Sequence, residues 1–137
     1  MTDVKSIIQL MINLVPLVDT FSIYQLTDKQ EIPVEIISSE FYSITKTIDE
    51  ISIVTSCNLD FESLKSSKNW KGFKVNGILD FSLVGIINDI TKPLKDNGIS
   101  VFVLSTYNTD YIFIKEEYFD RAIDIYKFTD NIMIIEK

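Results

Sequence analysis

The sequence predicts an α+β fold, with antiparallel sheets and helices on one face, and three observations carry that prediction. The second half alternates β-rich runs with two amphipathic stretches in the order βαββαβ. A hairpin in that half, with the turn Ser105-Thr106-Tyr107-Asn108-Thr109-Asp110, has a counterpart in the first half at an offset of 60 residues. The 137 residues are enough to bury roughly two-thirds of the surface the unfolded chain exposes. Two helices on one face of a four-stranded antiparallel sheet in that order make the ferredoxin-like arrangement.

Residues 4–18 (VKSIIQLMINLVPLV) are apolar at nearly every position and are assigned to a strand that Pro16 ends. Residues 20–26 form a second strand, with Phe21 and Ile23 on one face. After a polar loop, Ile32-Pro33 opens a single helical turn, because proline is tolerated at the first helical position. Residues 41–47 and 51–56 make a hairpin around Ile48-Asp49-Glu50. The serine- and lysine-rich run 58–69 is taken as the joint between two lobes, residues 1–66 and 67–137.

Beyond the joint, residues 73–79 are a strand. Leu83, Ile86, Ile87, Ile90 and Leu94 then fall on one helical stripe that must pack on a sheet. Asp80 and Ser82 stand where that helix starts and are of the residue types that cap it. Pro93 removes one helical hydrogen bond, and Asn97-Gly98 supplies a left-handed stop. Residues 99–104 and 111–114 flank the second hairpin turn. Residues 116–128 are a second helix with acids in its first turn and Phe119, Ala122, Ile123 and Tyr126 on its inner face. Residues 131–135 are a last strand.

Composition excludes several classes. Apolar residues at 46% with charged residues at 24% belong to a folded globular chain. A net charge of -7 with one arginine, Arg121, is the wrong sign for binding a phosphate backbone. The longest apolar run is interrupted by Gln9, Asn13 and Pro16 and is too short to span a bilayer. The N-terminus makes a poor signal peptide, so a cytoplasmic location is expected. The lone Cys57 is read as a structural thiol at a strand end. Without histidine, a Cys-His or Ser-His nucleophile and a histidine metal site are both unavailable. No enzyme, cofactor or metal is expected.

The residues suited to binding gather in 78–115. A helix start seats a carboxylate, because its first amides lack partners and carry the positive dipole end. Asp110, closing a turn rich in hydroxyls, is a fitting acceptor for an ammonium or guanidinium group. Together they suit a zwitterion such as an amino acid. Laid on each other at the 60-residue offset, the hairpins match Glu50 with Asp110 and suggest a degenerate repeat whose first lobe has shortened helices.

Residues 45–54 (TKTIDEISIV), Trp70, 77–85 (GILDFSLVG), Gly98-Ile99-Ser100 and 105–114 (STYNTDYIFI) resemble the small bacterial ACT-domain proteins. Those are related to the amino-acid-sensing ACT pairs of aspartate kinases and to CASTOR-type arginine sensors. The resemblance covers about residues 20 to 128. It implies two ACT-like lobes in tandem and an effector, commonly an amino acid, held at a junction of lobes or chains. The ligand would lie between the loop leading into the helix of one lobe and the edge strand of the other. Carried over by motif, Ser52 and Ile53 would contribute from the strand, Leu79, Asp80, Phe81 and Ser82 from the loop, and Thr106, Tyr107, Thr109 and Asp110 from the turn. A homodimer is expected because such sheets present edges that pair across chains. The alternative is a ligand-free module that binds protein partners through a sheet edge.

Overall fold

A computed structural model describes residues 11–77 and 85–135. It divides the chain into two compact units, Asp19–Trp70 and a second made of Met1–Val18 with Lys71–Lys137. The expected boundary after residue 66 therefore moves to residue 70, and the N-terminal segment groups with the second half. The reason is a long-range pairing that local patterning does not reveal. Strand β1 (Ile12–Pro16) pairs antiparallel with the end of β5 (Lys65–Val75), matching Leu14 to Val75 and Pro16 to Phe73. It pairs parallel with β8 (Ile132–Ile134) on its other side.

In the unit Asp19–Trp70, β2 (Phe21–Leu26), α1 (Val34–Ile37), β3 (Tyr42–Lys46), β4 (Ile51–Thr55) and the start of β5 follow one another. The strands stand in the order β3-β4-β2-β5, with every pairing antiparallel. Tyr24, Leu26, Ile36, Ile51 and Ile53 form the core. Where a second helix would complete βαββαβ, residues 57–64 run as a strap without regular structure. Cys57, Leu59 and Phe61 of the strap pack against the core. The Tyr24 hydroxyl donates to Leu59 O (2.9 Å) and accepts from Leu59 N–H (3.0 Å), so one buried phenol satisfies both backbone groups of that residue.

The polar run expected to be a joint becomes strand from Lys65 onward. Within its unit, this part of β5 is the last strand of the sheet, where exposed lysine and serine are tolerated and unwanted pairing is discouraged. Between Phe21↔Trp70 and Ile23↔Ser67, β5 carries one residue more than β2, and Asn69 takes a φ of 64° there. That is a β-bulge.

The second unit contains the end of β5, α2 (Ile86–Asp96), β6 (Phe102–Ser105), β7 (Asp110–Lys115), a 3-10 turn (Glu116–Tyr118), α3 (Phe119–Lys127) and β8. Its order is β6-β7-β5-β1-β8, the ferredoxin-like sheet with β1 inserted beside the last strand. Ile90 and Leu94 of α2 and Ala122 and Tyr126 of α3 are buried against Leu14, Phe73, Ile112 and Ile114 of the sheet, so both helices cover one face. Phe73 stacks on Phe119 (4.8 Å between centroids) and meets Tyr126 edge-on (5.4 Å). The Tyr126 hydroxyl donates to Ile90 O at 2.8 Å and ties the helices together. Burial pushes that phenol well above its ordinary pKa, which keeps it neutral.

Helix α2 ends as its Asn-Gly pair predicts. Gly98 at φ 73° sends its N–H to Lys95 O, and Ile99 N–H returns to Leu94 O at 2.9 Å, while Ile99 and Leu94 are both buried. Its start differs from the expectation. The N-cap is Gly85 at φ 84° with no side-chain cap bond, and Asp80 and Ser82, the expected caps, lie outside the described residues. Gly85 is needed for its left-handed backbone rather than for a close approach, since a Cβ there would meet nothing within 4 Å.

Candidate functional site

The hydroxyl-rich turn between β6 and β7 is built from its own side chains. Thr106 N–H donates to Thr109 O (2.8 Å), and the Thr106 hydroxyl both donates to that oxygen (3.1 Å) and accepts from Thr109 N–H (3.3 Å). Thr109 is buried, and its hydroxyl donates to Val75 O on β5 at 2.8 Å. The Ser105 hydroxyl donates to the half-exposed Asp110 carboxylate. Of the four side chains expected to meet a ligand from this turn, Thr106 and Asp110 thus hold the hairpin closed, and Thr109 fastens it to β5. The fourth, Tyr107, is 81% exposed at the tip.

The first-lobe hairpin is built alike, and the alignment of the two is corrected by one residue. Lys46↔Ile51 and Ser105↔Asp110 close the two ladders, an offset of 59 rather than 60. At that offset Thr47 matches Thr106, and Thr47 N–H donates to Glu50 O at 2.9 Å as Thr106 N–H does to Thr109 O. Ile53, Val54 and Thr55 fall on Ile112, Phe113 and Ile114, all buried. Asp110 therefore corresponds to Ile51, and Glu50 corresponds to Thr109.

Ser52 is half-exposed on β4, paired with Gln25 of β2 and Thr45 of β3. Ile53 is fully buried in the core of its unit. Strand β4 lies between β2 and β3, so the edge position expected for these two residues is not what the sheet gives them. Leu79, Asp80, Phe81 and Ser82 lie outside the described residues. Ser52 and Asp110 belong to separate units.

Among the described residues, two open grooves lie in the second unit. One, of about 520 Å³, runs along β8 past Met11, Phe128 and Met133. The other, of about 420 Å³, lies between the end of α2 and α3, with Asp96, Arg121, Asp124 and Phe128 on its walls. Arg121 donates to Asn97 O at 2.9 Å there. Phe128, 89% exposed, borders both grooves. A signal for it existed: two residues beyond Tyr126, it falls off the inward stripe of α3. The half-buried Trp70 donates its indole N–H to Ser67 at 2.9 Å. Cys57 is half-buried, and its N–H donates to the Thr55 hydroxyl. Among the described residues no three His, Cys, Asp or Glu side chains gather as a cation site. Among them, too, no helix is long and apolar enough to cross a membrane.

The ferredoxin-like sheet with two helices on one face, repeated in shortened form, defines a class of small α+β domains. The chain contains an ACT domain: the family profile for the ACT domain matches residues 65–125. A second profile, for an N-terminal domain, matches residues 19–61. CASTOR3P of Homo sapiens is 33% identical over 89 residues, covering 55% of this chain and 54% of the human protein. The chain thus spans about half the length of that relative. The solved structure of protein Atu0741 from Agrobacterium tumefaciens is 29% identical, with a TM-score of 0.79 over 93% of this chain and 94% of that one. The regulatory subunit of aspartate kinase from Thermus thermophilus shares the fold, with a TM-score of 0.53 at 11% identity over 78% and 90% of the two chains.

Proposed function

We propose that this chain is a non-enzymatic regulatory protein of the ACT type that binds an amino acid, held at a lobe or subunit interface of a cytoplasmic homodimer. The observation that carries the proposal is the ACT-domain match over residues 65–125, which covers the hairpin closed by Asp110. Asp110 is half-exposed and engages the Ser105 hydroxyl, which leaves acceptor capacity for an ammonium group. Ser52, Leu79, Asp80, Phe81, Ser82 and Tyr107 remain the other proposed contacts, with Ile53, Thr106 and Thr109 supporting the walls.

A thermal-shift panel of the standard amino acids tests this. A ligand bound only by the folded state adds about 2.7 kcal/mol at a hundred times its Kd, which moves Tm by several degrees. Asp110→Asn should weaken that response roughly tenfold to a hundredfold by removing a charge-assisted bond, with its ligand-free Tm reported alongside. An unmoved Tm for every amino acid at millimolar concentration contradicts the proposal.

A second reading, a module that binds protein partners through a sheet edge, draws on the exposed Phe128 and Met133 beside β8. It predicts a partner whose capture ignores amino acids and is lost on Met133→Pro.

A further inference from the structure

The chain contains two Asn-Gly pairs, Asn76-Gly77 and Asn97-Gly98, and the structure treats them differently. Glycine lacks a Cβ to shield its amide nitrogen, so in each pair that nitrogen has access to the neighbouring side-chain carbonyl. At Asn97 this approach is guarded twice. The side-chain Nδ2 donates to Pro93 O at 2.8 Å, and Gly98 N–H donates to Lys95 O at 3.0 Å within the helix-ending motif. The backbone oxygen of Asn97 is also held, by Arg121 at 2.9 Å. At Asn76 only the backbone N–H is engaged, donating to Asn13 O at 2.8 Å. Among the described residues, neither the exposed side-chain amide of Asn76 nor the N–H of Gly77 has a hydrogen-bond partner.

We infer that Asn76-Gly77 is a site of spontaneous deamidation in the folded protein, and that Asn97-Gly98 is protected by its own hydrogen bonds. The Gly77 backbone nitrogen attacks Cγ of Asn76, forming the N–Cγ bond of a five-membered succinimide. The Cγ–Nδ2 bond breaks, and the amide nitrogen leaves as ammonia with the proton given up by Gly77. Water then opens the ring at one of its two carbonyls, yielding aspartate or isoaspartate. The net change is water in and ammonia out. The product adds one negative charge to a chain already at -7. Isoaspartate also inserts a methylene into the main chain one residue after Val75, whose carbonyl anchors Thr109.

The test is incubation of the full chain at mildly alkaline pH, followed by peptide mapping with fragmentation that distinguishes aspartate from isoaspartate. Native protein should deamidate at Asn76 about tenfold or more faster than at Asn97, since two hydrogen bonds must break at the latter. In denaturant the two rates should converge, because the chemistry of the pairs is the same. Asn76→Gln should abolish most isoaspartate in the native protein. Equal native rates, a faster Asn97, or a native Asn76 that stays intact while denatured protein loses both amides would each overturn the inference.

Discussion

The two units carry one hairpin design under different roofs. In both, a threonine opens a four-residue turn, donates its N–H to the carbonyl three residues on, and lends its hydroxyl to a backbone N–H in the turn. Above the sheets the units diverge. One face is covered by α2 and α3, joined by Tyr126. The other is covered by the single turn of α1 and a strap fastened by Tyr24. A helix satisfies its own backbone, whereas a strap needs side chains to do so. The buried tyrosines therefore have different duties. Tyr126 adds a bond to a helix carbonyl, while Tyr24 supplies both partners of Leu59.

Mutations sharpen this contrast. Phe73→Ala should be the most damaging, costing about 3–5 kcal/mol in chemical denaturation, because the ring is fully buried between Phe119 and Tyr126. Tyr24→Phe strands two backbone groups and should cost about 1–3 kcal/mol, with faster hydrogen exchange at Leu59. Tyr126→Phe should lose only about 1 kcal/mol. A cost for Tyr126→Phe equal to that for Tyr24→Phe would remove the distinction between the roofs.

The turns give a smaller test. Thr106→Val removes a hydroxyl that both donates and accepts. Thr47→Val removes one that accepts from Asp49 N–H in an exposed turn. The expected losses are about 1 kcal/mol or slightly more at Thr106 and clearly less at Thr47, read as shifts in denaturation midpoint.

The smallest effect is electrostatic. The hydrogen bond and charge of Lys68 hold Asp60 below its ordinary pKa, and Asp60 raises Lys68 in return. A depressed carboxylate contributes stability above its unfolded pKa and loses it as pH falls through the folded value. A raised lysine contributes below its unfolded pKa and loses that as pH rises through the folded value. Exposure leaves this pair weak and sensitive to salt. An NMR titration should place Asp60 below the usual carboxylate midpoint, and Lys68→Met should bring it back.

Much of this fold is legible in the sequence where local periodicity and tertiary packing agree. The stripe Ile86, Ile90, Leu94 and the stop at Asn97-Gly98 are cases in point. Signals that compete locally mislead. Matching Glu50 to Asp110 aligned two carboxylates, but ladder pairing sets the offset one residue shorter, and in a strand one residue exchanges the faces. Lys65 to Asn69 read as a linker because an outer strand with a wet face has the same composition. The pairing of β1 with β5 and β8 is a long-range event with no local signature. Of the proposed site, the turn around Asp110 was legible as a turn; that its hydroxyls are taken up by backbone groups and by Asp110 itself was not.

Isothermal titration calorimetry of the full chain with each standard amino acid tests the regulatory proposal most directly. A saturable heat for one amino acid or a close group, at a fixed stoichiometry per chain and weakened by Asp110→Asn, is the predicted result. Flat titrations for all of them, from protein whose unfolding remains cooperative, would contradict it.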